Sequence, residues 1–398
     1  MPLLCLALLP LALILGLAMQ RALIAIGTRT GALDSVGVQG HHKPEIRPIP
    51  NIGGVGVFWA LAAPVLALLA IVLPFARSTD HEWQEEPGLI PVDLWDHLPG
   101  LAERAPLALT LLACLFVLHV IGLVDDRRPL GPWPKLAVML GVSAALAILT
   151  HTRLLTVLDA HAGGPWLSYA VTILWLALVT NAMNFIDNMD GLASGVASIA
   201  SASLLAIALL SQQWFIAAML ALTLGSLLAF LAFNFPLWRG ARARIFMGDS
   251  GSLVVGLLLA FLSVRITYYS SDPAHPVPAG LGWHALLTPL VVLAIPLYDF
   301  FVVSSIRVAQ GKSPFVGDQQ HLSHRLVARG LSKRDAVLVI WGFAGVSALA
   351  GVAMVRASAF VAILLGAIVL LTLATLALLE YAGSPTRRAK NGTGDRVP

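Results

Sequence analysis

Asn181-Ala182-Met183-Asn184-Phe185-Ile186-Asp187-Asn188-Met189-Asp190-Gly191 joins two apolar runs, residues 166–183 and 192–210, each long enough to cross a bilayer. Amides and carboxylates are costly beside hydrocarbon, so this span end carries more than a crossing. Working outward in windows of about 20 residues, further apolar runs fall near 3–19, 52–75, 105–124 and 133–150. Beyond the quoted stretch they fall near 214–235, 250–269, 283–306, 336–355 and 358–380. The pattern predicts an all-α, polytopic membrane bundle of about eleven transmembrane helices. Composition agrees: the 398 residues are 58% hydrophobic and 12% charged, with a mean hydropathy of +0.84. A soluble domain carries about a quarter charged residues.

Residues 3–19 have signal-peptide length but lack a basic start and a small-residue cleavage site, so a retained first span is expected. With the N-terminus outside, 20 of the 25 Lys and Arg residues fall on inner segments. Arg77, Arg104, Arg153, Arg265 and Arg356 remain outside. The positive-inside rule then puts the C-terminus of this multi-pass chain in the cytoplasm. Because the basic residues sit in short loops, the net charge of +4 does not point to nucleic acid. Cys5 and Cys114 both lie in apolar runs and offer neither a disulfide framework nor a thiolate metal site. Residues 1–383 are read as one transmembrane domain, and 384–398 as a disordered basic tail. The acidic loop between Arg77 and Arg104 is read as a solvated outer spacer.

The same map places four polar stretches on the cytoplasmic side. Asp125-Asp126 ends the third span, and these adjacent carboxylates need a cation or donors beside them; Lys135 opens the next span. Asn181, Asn184, Asp187 and Asp190 recur every third residue, so a helix would align the first three on one ridge able to bind a cation, a sugar amide or a ribose. Asn188 or Gly191 suits the helix end. Asp249 stands in Met247-Gly248-Asp249-Ser250-Gly251, where a helix N-terminus offers either simple capping or free N–H groups for a phosphate. The last stretch holds Arg307, Asp318, His321, Ser323, His324 and Arg325. Imidazoles and guanidinium suit phosphates, whereas zinc lacks both an HExxH pattern and a Cys partner. Asp299, deeper in the ninth span, is open to a structural or a functional role.

Together with Pro48-Ile49-Pro50-Asn51-Ile52-Gly53-Gly54, these stretches resemble, in order, the motifs of the polyprenyl-phosphate N-acetylhexosamine-1-phosphate transferases (glycosyltransferase family 4). The resemblance covers roughly residues 30–330. It implies transfer of a sugar 1-phosphate, most simply N-acetylglucosamine 1-phosphate, from a UDP-N-acetylhexosamine to undecaprenyl phosphate with release of UMP. That is the first membrane step of a cell-envelope polysaccharide. It also implies Mg²⁺, with Mn²⁺ as a substitute, on Asp249 and Asn184, and catalytic roles for Asp125 and Asp126 at the polyprenyl phosphate. Lys135, Asn181, Asp187, Asp190, Arg307, His321 and His324 would then bind substrate. The partners are membrane lipid and the two substrates, with a homodimer left open. The family's usual last loop resembles His-Leu-His-His-Arg-Leu; here Ser323 takes the middle histidine's place, which puts one phosphate contact in question.

Three alternatives compete. His-Leu-Ser-His-Arg-Leu differs from the histidine-rich loop of the phospho-N-acetylmuramoyl-pentapeptide transferases. A transporter should show inverted repeats and mid-membrane polar groups. An intramembrane aspartyl protease would need Tyr298-Asp299 before Gly248-Asp249, and here the order is reversed.

Overall fold

The computed structural model describes residues 1–30, 49–77, 98–156, 159–235, 242–266, 283–314 and 318–382. Most of the acidic spacer, Pro48 and the 384–398 tail lie outside the described residues. The helices, in order, are α1 (Pro2–Thr30), α2 (Gly53–Arg77), α3 (Leu98–Arg127), α4 (Pro132–Leu149), the short α5 (Asp159–Ala162) and α6 (Trp166–Phe185). They continue with α7 (Leu192–Leu210), α8 (Trp214–Asn234), α9 (Asp249–Ile266), α10 (Thr288–Val292), α11 (Ala294–Ala309), α12 (Leu322–Val327), α13 (Lys333–Met354) and α14 (Ala359–Ala382). Ten of these are long and apolar enough to cross a membrane, and a bent pair raises the number to eleven.

That bent pair coincides with the span expected over 283–306 and adds a bend to it. A 3-10 turn over Trp283–Leu287 and α10 meet α11 at an angle of 63° around Leu293. Pro296 explains the break, because a proline removes one N–H and its ring crowds the carbonyl four residues earlier, here that of Val292. The bend swings α11 towards α6 and carries Asp299 and Arg307 with it.

The centre of the bundle is α9, apolar on every face and surrounded by α2, α3, α6 and α7. Glycines allow this closeness. A Cβ on Gly122 of α3 would strike the backbone of Ser250, and one on Gly54 of α2 would strike the Gly251 backbone. Small residues at such crossings let helix backbones approach without side chains between them. The consequence for the site is positional, since the C-terminal end of α3 is held against the N-terminal end of α9. At the far end of the bundle, Arg153 pairs with Asp159 and Arg265 reaches Thr152 at 3.5 Å. Arg356 donates to the Leu210 carbonyl at the C-terminal end of α7. Three of the five basic residues read as outer thus share the end opposite Asp249.

Candidate active site

The first turn of α9 is assembled from three parts of the chain. Phe246 N–H donates to the Pro50 carbonyl at 2.9 Å, while Gly53 and Gly54 N–H donate to Phe246 and Met247 carbonyls at 2.8 and 3.0 Å. Asp126, at the end of α3, then accepts from the N–H of Asp249 at 3.0 Å, the N–H of Ser250 at 3.3 Å and the Asn51 amide at 3.2 Å. Its carboxylate caps another helix, satisfying donors that would otherwise be orphaned. Gly248 fits this cap uniquely: its φ is +67°, and a Cβ would press on Asp126 and Asn51. The reading of this helix start as a phosphate cradle is corrected by the same bonds. The Gly251 and Ser252 N–H groups go to the Gly248 carbonyl, so the turn's donors are taken.

One residue earlier, Asp125 faces a different set of groups. Its Oδ1 accepts from Leu130 N–H at 2.7 Å, and its Oδ2 lies 3.5 Å from Lys135 Nζ. Lys135, on the first turn of α4, also donates to Asp249 Oδ2 and, at 3.2 Å, to Asn184 Oδ1. Asn184 completes the circuit through its nitrogen, which donates to Asp249 Oδ1 at 2.8 Å and Ser252 Oγ at 2.9 Å. Four elements, α3, α4, α6 and α9, therefore set two carboxylates and an amide oxygen around one ammonium.

Helix α6 stops at Phe185, so the expected ridge of Asn181, Asn184 and Asp187 breaks after Asn184. Asp187 and Asp190 lie in the turn that follows, and Asn181 sits one turn deeper with no hydrogen bond to the cluster among the described residues. Asn188 Nδ2 donates to the Phe185 carbonyl at 2.9 Å, acting as the expected cap. Gly191 opens α7 with φ +77°, and its N–H donates to Asn234 Oδ1 at 2.6 Å. Asn234, buried at the end of α8, in turn donates to the Ile245 carbonyl at 2.8 Å. Burial, then the carboxylates of Asp249, Asp126 and Asp190, push Asp187 up to about 8. Its side chain keeps some solvent access and stands among like charges.

The last polar loop docks on the end of α6. His321 caps α12 with extended backbone and so does not share a helix face with His324. Arg307, only 2% exposed, donates to the Pro314 carbonyl at 2.7 Å and to Asp318 at 2.9 Å, and its guanidinium lies 5.3 Å over the Phe185 ring. Asp318 is disfavoured as an anion by burial, yet the Arg307 bond outweighs this and holds it below the usual carboxylate range. Ser323 is fully buried and donates to Asn188 Oδ1. His324 is partly exposed; burial, then His321 and Lys333, lower its pKa. Asn51, Asn234 and Asp299 emerge as residues whose roles the sequence left unassigned. For Asn234 the only signal is an amide at the end of an otherwise apolar span.

Fold and site together define a polytopic helical membrane protein with one acid–amide–ammonium centre at one mouth of its bundle. The sequence pattern of the family described as "Glycosyl transferase family 4" matches residues 108–267, a range containing that centre. The chain is 30% identical over 362 residues to the decaprenyl-phosphate N-acetylglucosaminephosphotransferase of Mycobacterium tuberculosis (strain CDC 1551 / Oshkosh), covering 85% of this chain and 81% of that protein. It is 28% identical over 320 residues to the Bacillus subtilis (strain 168) protein named "Probable undecaprenyl-phosphate N-acetylglucosaminyl 1-phosphate transferase", covering 79% and 75%. Against the undecaprenyl-phosphate alpha-N-acetylglucosaminyl 1-phosphate transferase of Escherichia coli (strain K12), identity is 28% over 241 residues, 59% of this chain and 62% of the relative. The chain belongs to the polyprenyl-phosphate N-acetylhexosamine-1-phosphate transferases of glycosyltransferase family 4.

Proposed function

We propose that this protein transfers N-acetylglucosamine 1-phosphate from its UDP donor to undecaprenyl phosphate, releasing UMP. The observation that carries the reading is the convergence of Asp125, Lys135, Asn184 and Asp249 at one mouth of a membrane bundle. One substrate is soluble and the other embedded, so the two can meet only at such a mouth. The bias of basic residues supports a mouth that faces the cytoplasm, and the family supports a bacterial inner membrane.

A divalent cation fits the donor set. Among the described residues no three His, Cys, Asp or Glu side chains gather closely enough for a metal. Two carboxylates and an amide oxygen do surround the Lys135 ammonium, which stands in for a cation. Asp249, Asn184 and Asp125 would hold Mg²⁺, with Mn²⁺ a substitute, since hard cations take such oxygens. Bound there, the ion would supply charge stabilisation for the departing phosphate.

The chain's own residues do the rest. Lys135 neutralises an incoming phosphate, and Asp126 fixes the Asp249 backbone. An acceptor oxygen attacks the sugar-side phosphorus, forming one P–O bond as the bridging P–O bond breaks and UMP departs. The acceptor's second pKa is about 6, so it arrives largely deprotonated and Asp125 orients it more than it removes a proton. His324, whose pKa is lowered by burial and then by His321 and Lys333, offers the donor's pyrophosphate a hydrogen bond. The test is UMP release from UDP-N-acetylglucosamine by purified protein given undecaprenyl phosphate, with Mg²⁺ or with chelator. Release only with both substrates and the metal is expected; none under any condition, with a panel of UDP-sugars, overturns the reading.

A further inference from the structure

Asp299 is 1% exposed on α11 and takes no part in the cluster around Asp249, yet it makes two short bonds across the chain. Its Oδ1 accepts from Leu322 N–H at 2.6 Å, the first residue of α12. Its Oδ2 lies 2.8 Å from His321 Nδ1. A carboxylate can only accept here, so His321 Nδ1 carries the hydrogen. Arg307 Nη2, which can only donate, stands 3.5 Å from Nε2, so that nitrogen faces it as an acceptor. The ring is also edge-on to Phe185, with centroids 5.8 Å apart. Both of its nitrogens and one edge are therefore committed inside the protein, and His321 is only 7% exposed.

Downstream of this anchor, Ser323 fastens α12 to Asn188, and His324 comes next, partly exposed, its imidazole without a hydrogen bond to another described residue. Asn188 and Phe185 adjoin Asn184, a member of the acid–amide–ammonium cluster. The resemblance assigned both imidazoles to substrate; the inner one is instead built into the support, and only the outer one keeps its side chain open to a ligand.

We propose that Asp299 is a positioning residue for the transfer reaction: by holding the His321 ring and the first N–H of α12, it aims His324 at the donor substrate. The proposal rests on the transferase reading above. A ring held this way by a buried carboxylate keeps one tautomer and one orientation, which an amide in place of the carboxylate would not impose.

The experiment compares four variants by steady-state UMP release, varying each substrate separately. Asp299→Asn keeps volume and an acceptor for Leu322 but offers His321 an N–H in place of an oxygen. It is expected to raise KM for UDP-N-acetylglucosamine about tenfold, the usual scale of an outer-shell change, with KM for undecaprenyl phosphate unchanged. His321→Asn can still donate to Asp299 from the position of Nδ1, and should keep donor KM within about threefold of wild type by the same scale. His321→Ala loses that bond and should match Asp299→Asn, while His324→Ala should raise donor KM with the support intact. If His321→Asn is as damaging as His321→Ala, the imidazole itself meets substrate and the proposal falls. Wild-type kinetics in Asp299→Asn overturn it as well. Failure of wild type to release UMP at all would instead remove the transferase reading, which separates the two.

Discussion

At the scale of single residues, neighbouring acids have opposite jobs. Asp126 is bonded to two backbone N–H groups and an amide, whereas Asp125 faces Lys135. Asp126→Ala should therefore lower folding stability by about 2 kcal/mol, the scale of a lost cap with buried donors left unpaired. Thermal unfolding in detergent measures this, and a drop no larger than in Asp125→Ala would remove the capping role. Asp125→Asn should reduce kcat far more than it raises KM for the UDP-sugar; equal changes in both would place Asp125 in the nucleotide pocket. Asp187 makes a pH prediction. Its folded pKa, raised to about 8 against a reference of 3.8, means the folded state binds more protons than the unfolded state between those values. Stability attributable to this group is present at low pH and falls as pH rises towards 8. Asp187→Asn should consequently flatten the decline in Tm between pH 6 and 8 in chelator, and Mg²⁺ should narrow the gap between the two proteins. Parallel Tm curves for both proteins would contradict the charge crowding. The adjacent carboxylates, the recurring Asn and Asp, and Asp249 between glycines were legible because polar groups stand out against apolar sequence. Which acid caps and which faces the ammonium was not, because that choice depends on contacts 123 residues apart.

Among elements, the decisive contact is the crossing of α3, α2 and α9. A Cβ at Gly122 would meet the Ser250 backbone, which cannot move aside as a flexible side chain would. Gly122→Ala should cost about 3 kcal/mol, the upper scale of overpacking, and should also reduce activity because Ser250 adjoins Asp249. Loss of activity without loss of thermal stability would show that the packing is looser than described. Spans were readable from hydropathy to within a few residues, except that α1 and α3 run longer than their apolar runs suggest. The break at Leu293 had a local signal in Pro296, but the apolar run continued through it and hydropathy alone registers no bend. Ser323 shows the other limit. Its departure from the family's usual histidine pointed to a weaker or moved phosphate contact, and the buried hydroxyl is engaged with Asn188. Partners so distant in sequence leave no local pattern.

For the whole molecule, the polar centre and the Arg153–Asp159 and Arg265–Thr152 contacts occupy opposite ends. Cysteines introduced at Gln319 and at His161, both in turns or short helices outside the long spans, should react with an impermeant thiol reagent from opposite sides of sealed membranes. Position 319 should react only when the cytoplasmic side is accessible, and labelling of both from one side would overturn the topology. The cap that Asp126 places on α9 also bears on how the protein is made. The third span enters the bilayer well over a hundred residues before the eighth emerges from the ribosome. Throughout that interval a carboxylate waits without its backbone donors, and when residue 249 arrives, its first amides need an acceptor already in place. The polar centre is therefore completed only once residue 249 has been made, with the spans from residue 283 onward still to follow.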